Sequence, residues 1–180
     1  MRTILKLVAS TAFAASTIGC ASDGENPFQP LATSTLRTSS AASGPVTRPA
    51  GGKCETDIFP TNTRDGYAFS LFITGVCTLK HLGRTTIVIN QDFAFDGSIV
   101  NSATHTAANG DLLRSTWYSA PGQTQFDGVD AVFAGIETYA GGTGRFANAT
   151  GSSLVRGTAH FDASTRKNTG LYTSVGTISY

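Results

Sequence analysis

Few residues of this chain could carry chemistry, and they are scattered along it. His81 stands before Leu82-Gly83 at the expected end of a strand, and Glu137 is the one glutamate inside the strand-patterned region, Glu25 and Glu55 falling outside it. A histidine can trade a proton near neutrality and a carboxylate can accept one, so these two are the weak catalytic candidates. Two orientations are open for Glu137. It shares one face with Phe133 and Gly135, while Val132, Ala134 and Ile136 share the other. With Phe133 inward, Glu137 is a carboxylate at one end of an interior; with Val132 and Ile136 inward, it is a surface charge. The second reading is preferred, because carboxylates are rarely buried without a partner. For His81 the preferred reading is a hydrogen-bonded residue of a turn or strand end. His105 and His160 alternate with Ala, Thr and Phe in polar stretches and are expected to face solvent.

The motifs of commoner chemistries do not occur. There is no Gly-x-Ser-x-Gly, His-Glu-x-x-His or Cys-x-x-Cys pattern, so hydrolase and zinc chemistry lack a signal and no metal or cofactor is expected. Asp127-Gly128-Val129-Asp130 offers oxygen ligands but lacks the further carboxylates of a calcium loop, and reads as a turn. The segment Gly141-Gly142-Thr143-Gly144-Arg145-Phe146-Ala147-Asn148-Ala149-Thr150-Gly151 invites a phosphate-binding reading. No Lys-Ser/Thr pair follows it, and Ala147 stands where a third glycine would complete Gly-x-Gly-x-x-Gly. It is read as a shaped corner between two strands. Charge is sparse and balanced, 13 basic against 12 acidic residues without runs, which leaves no footprint for nucleic acid.

The cysteines point to a compartment. Met1 to Gly19 has a short basic start (Arg2, Lys6) and an apolar stretch from Leu7 to Ile18, the architecture of an export signal. Thr17-Ile18-Gly19-Cys20 resembles a bacterial lipobox with Thr17 in place of the usual Leu, which makes Cys20 the expected lipidation site. Plain cleavage near Ala12-Phe13-Ala14 is the alternative. Cys54 and Cys77 then remain, and an even pair in an oxidising compartment is expected to bridge.

Residues 20–52 are rich in Ser, Thr, Ala, Gly and Pro with almost no apolar periodicity, and are expected to form a disordered linker between the signal and a folded domain over 53–180. From Lys53 onward strand and turn signals alternate. Tyr67, Phe69, Leu71 and Ile73 fall on one face after Asp65-Gly66, and Thr85, Ile87, Ile89, Gln91 and Phe93 repeat the pattern before Asp96-Gly97. Ser102 to Ala107 leads into Asn109-Gly110, the pair that favours a two-residue primed turn, and Asp111 to Tyr118 returns. Val129 to Tyr139, Ser153 to Phe161 and Gly170 to Tyr180 complete the set. The fold expected is all-β, roughly seven or eight antiparallel strands with no helix. Closure into a barrel is preferred, because it leaves no apolar edge uncovered.

Four stretches resemble the bacterial allene oxide cyclase barrel-like family, which is dirigent-like and calycin-like: Thr78 to Arg84, Thr106 to Asp111, Gly141 to Gly151 and Gly176 to Tyr180. The resemblance implies an antiparallel barrel of about eight strands whose interior fills with side chains or holds one small ligand. Its plant cyclases steer a reactive epoxide inside an apolar barrel, and its dirigent members orient radicals. No catalytic position of the family can be matched to a residue here. Two functions follow as expectations. The first is a non-enzymatic exported barrel, anchored to the membrane through Cys20, that binds a small apolar molecule or an envelope partner. The alternative is an isomerase or cyclase acting by confinement.

Overall fold

The computed structural model describes residues 44–180; the expected export signal, Cys20 and the linker up to residue 43 lie outside the described residues. The described chain folds as nine strands: β1 (Thr47–Thr61), β2 (Phe69–Leu79), β3 (Gly83–Phe93), β4 (Ile99–Ala107), β5 (Leu112–Ser119), β6 (Thr124–Phe126), β7 (Asp130–Gly142), β8 (Thr150–Phe161) and β9 (Asn168–Ser179). The sheet order is β5-β4-β3-β2-β1-β9-β8-β7, every pair antiparallel, and β5 pairs with β7 to close an eight-stranded barrel. The short β6 lies beside the first residues of β7, where β5 has diverged. Closure abolishes the open edge that an exposed strand would otherwise present. The all-β barrel expected from the strand and turn pattern is the fold.

One boundary shifts. Residues 47–52, expected to belong to the linker, are the opening of β1, and Thr47 to Gly52 pair with Ser179 to Ser174 of β9. Their Pro and Gly content disguised them. Pro49 sits where β1 has β9 on one side and no strand yet on the other, since pairing with β2 starts only at Gly52. A residue without an N–H is tolerated at such a place.

The hairpin between β4 and β5 also differs from expectation. Gly110 N–H donates to Ala107 O (2.9 Å) and Ala107 N–H to Asp111 O (2.9 Å), so the connection has three residues, with Gly110 left-handed (φ 86°), and is not the two-residue primed turn. Asn109 keeps the ordinary backbone sign and spends its side chain on Asp111, its Nδ2 donating to Oδ2 (2.8 Å) while its Oδ1 accepts from the Asp111 N–H (3.2 Å). A type I turn closed by a left-handed glycine is the common three-residue solution.

The glycine corner joins β7 to β8 and stops one end of the barrel. Its 3-10 turn, Gly144–Phe146, carries Phe146 inward, where it is fully buried against Leu82, Leu113, Ala149 and Ile178, with Tyr180 packed edge-on (5.0 Å between ring centroids). Gly144 is left-handed (φ 54°) with the Asp111 carboxylate where a Cβ would stand. That carboxylate also accepts from Arg145 N–H (3.4 Å). An anion would need the same ground, so the corner is a plug.

Inside the wall, Cys54 and Cys77 are direct partners across β1 and β2 and are joined by a disulfide, both fully buried. Ile58, Leu71, Ile73, Ile87 and Ile89 pack with them in one cluster, each such side chain worth roughly 1.5–3 kcal/mol of burial. At the end away from the plug, the loop between β1 and β2 is held to the outer wall. Arg64 pairs with Asp92 (2.9 Å) and lies over Tyr67 (4.6 Å), while Ser70 donates to the same carboxylate (2.6 Å). Tyr67 is thus a loop residue, and the inward alternation starts at Phe69.

Candidate ligand-binding site

Between the plug and the opposite end the barrel is hollow. The cavity measures about 550 Å³ and opens among Thr61, Gly97, Thr124 and Phe126. That volume falls in the range of small-molecule sites. Its wall is made by inward positions of all the barrel strands, isoleucines from β1 to β4, four phenylalanines, Trp117 and Tyr172, with Phe126 of β6 at the mouth. Trp117 meets Phe133 edge-on (6.0 Å), and Phe69 stacks on Phe93 (3.9 Å). The room for the indole comes from Gly135, whose missing side chain would run into its ring.

Glu137 is the only charged residue of the cavity lining. It faces inward and is 8% exposed, which overturns the preferred surface reading; the other reading of the alternation, with Phe133 inward, is the one adopted. The partner that a buried carboxylate needs is supplied by β4 and β5. Ser115 Oγ donates to Glu137 Oε1 (2.6 Å), and His105 Nε2 lies 3.3 Å from the same oxygen. His105 was expected in solvent and is 3% exposed. Its Nδ1 has no partner, so the tautomer that fits carries its proton on Nε2 and donates to Oε1.

Two phenols lie near Glu137, Tyr172 in the cavity lining and Tyr139 behind it in the cluster of the plugged end. Tyr139 shares a hydrogen bond with Ser153 (2.7 Å), and burial, reinforced by the nearby charge of Glu137, pushes its hydroxyl up to about 12. Burial raises Tyr172 further, with the Glu137 and Tyr139 charges adding to it, and its hydroxyl lies 3.8 Å from Cys77 Sγ. The cavity floor therefore sets the Glu137 carboxylate beside one reluctant acid, Tyr172, and the unpartnered Trp117 Nε1–H, with no lysine or arginine among the cavity residues.

The remaining candidates fall elsewhere. His81 is exposed, in the turn between β2 and β3 at the plugged end, and left-handed (φ 62°). It cannot reach the cavity. His160 is exposed on β8 with Asp130 as partner (2.7 Å). Asp127 Oδ1 accepts from the N–H groups of Val129 (2.9 Å) and Asp130 (2.7 Å), the use of a turn residue, and those bonds hold its carboxyl below the usual range. Among the described residues no three or more His, Cys, Asp or Glu side chains are grouped to hold a metal ion. His105 and Ser115 were missed because nothing local distinguishes them; the one usable signal was that each shares its strand's period-two face with a large apolar residue, Ile99 and Leu113 respectively.

Fold and site together define a closed antiparallel barrel with one stopped end, one open end and an aromatic-walled cavity over a buried carboxylate. Comparison of the chain with protein-family models, curated proteins and solved structures finds no match.

Proposed function

We propose that this protein is an exported, lipid-anchored barrel that binds a small apolar molecule in its cavity and performs no reaction on it. The observation that carries the reading is the hollow interior: a filled barrel would have pointed to a structural or protein-interaction role, whereas about 550 Å³ of aromatic-lined space suits a ligand. Export is supported by the leader pattern of residues 1–19 and by the buried Cys54–Cys77 bridge, which suits an oxidising compartment. Anchoring rests on Cys20 in its lipobox-like context. Membership of the allene oxide cyclase barrel-like family is part of the same proposal, supported by the four sequence stretches and by the barrel itself; fold alone does not carry an activity across. The test is untargeted mass spectrometry of small molecules that co-purify with the natively exported chain. An apolar compound present in near-equimolar amount and released on unfolding is the expected result. A chain that carries nothing and takes up no apolar probe would overturn the binding reading.

A second reading, an isomerase or cyclase working by confinement, draws on one observation: a carboxylate and a phenol, Glu137 and Tyr172, both line the cavity. Glu137 is its remaining candidate, since His81 lies outside the cavity. Turnover of a strained epoxide by the wild type, lost in Glu137→Gln, would favour it.

A further inference from the structure

We propose that the cavity selects apolar molecules ending in an amine, held as the ammonium by Glu137, and rejects amphiphiles that end in a carboxylate. The inference rests on the binding reading above and names its ligand class. Both protein contacts of the Glu137 carboxylate, from Ser115 and His105, converge on Oε1. Oε2 has no partner among the described residues, and the side chain lines the cavity, so this oxygen is the acceptor a ligand meets at the floor. A buried carboxylate left with a free oxygen gains most from a charged donor, because charge-assisted hydrogen bonds are the strongest that a protein site offers.

The walls argue the same way. Trp117 is the direct cross-strand partner of Glu137, Phe133 meets the indole edge-on, and Tyr172 packs against the buried cluster that holds the indole. Aromatic faces around an acceptor are the surroundings in which an ammonium is attracted by ring quadrupoles as well as by the carboxylate. An anionic head group finds the reverse: Glu137 repels it, and no lysine or arginine lines the cavity to pair with it. An alcohol can donate to Oε2 but brings no charge, and should rank between the two.

The chain's single tryptophan is Trp117, so its fluorescence reports directly on the floor. Titration of the full chain with decylamine, decanol and decanoate, each below its micellar concentration at neutral pH, compares head groups on one apolar tail. The amine should bind about tenfold or more tighter than the alcohol, and the carboxylate weakest. Glu137→Gln should bring amine and alcohol to within about threefold of each other by removing the charge while keeping an acceptor. Binding of all three with equal affinity, or of the carboxylate most tightly, would overturn the amine inference while leaving the binding reading intact. Uptake of none of them would overturn both. The wild-type comparison decides the matter even if the variant does not fold.

Discussion

Truncating the plug tests whether the barrel depends on the glycine corner for more than a connection. Phe146→Ala removes a ring that is 0% exposed and that packs with Leu113 on β5 and Ile178 on β9. Fully buried Phe→Ala changes cost about 3–5 kcal/mol when the surroundings cannot collapse into the space. The site lies at a barrel end, where water can enter, so the lower figure applies. A loss of about 3 kcal/mol corresponds to a fall in Tm of roughly 10 °C for a domain of this size. Urea and thermal unfolding measure it, with Phe95→Ala as the control. Phe95 is 80% exposed, and its removal should change stability by less than about 0.5 kcal/mol. If the two variants melt together, the corner is not a plug and the account of the closed end is wrong.

Thiol titration of the denatured exported chain should find neither Cys54 nor Cys77 free, and paired Cys→Ala substitution should cost about 3 kcal/mol for a bridge spanning 23 residues. Stability should fall as pH rises from 10 toward 12. Tyr139 has its folded-state value raised from 10 to about 12, so its full contribution is present below the unfolded value and is lost as the unfolded phenol ionises first; urea midpoints should drop over that window, and Tyr139→Phe should flatten the drop. Feeding a bacterial host labelled fatty acid should label the wild-type chain, whereas Cys20→Ala should leave it unlabelled; an unlabelled, freely released wild type would reject the anchor.

The barrel was legible because its strands are punctuated by Asp65-Gly66, Asp96-Gly97, Pro121-Gly122 and the glycine corner, and because β2 and β3 keep a period-two apolar set inward, Leu71 and Ile73 on β2, Ile87 and Ile89 on β3, even with Phe72 and Val88 facing out. The floor of the cavity was not. β4 and β7 carry small or polar residues at several inward positions, and that flattens or inverts the alternation on which orientation depends. Along β4 the inward Asn101, Ala103 and His105 look no more apolar than the outward Val100, Ser102 and Thr104. On β7 the contrast is reversed: exposed Val132 and Ile136 face out while Gly135 and Glu137 face in. Ile136 falls in register with exposed Tyr118, Leu154 and Val175 on its neighbours, so the outside of this wall is locally as apolar as its inside. The inward set is fixed by which face of the sheet curls inward on closure, a property of eight strands together that no single strand encodes.

The plugged end has a bearing on traffic. With Phe146 seated there, the barrel is a sac with one doorway, so a molecule leaves by the route it entered and a second cannot push the first out from behind. Exchange must then wait on the rim around Phe126 and Gly97. Both ends of the described chain leave from the opposite pole, where Val46 N–H donates to Tyr180 O (3.3 Å).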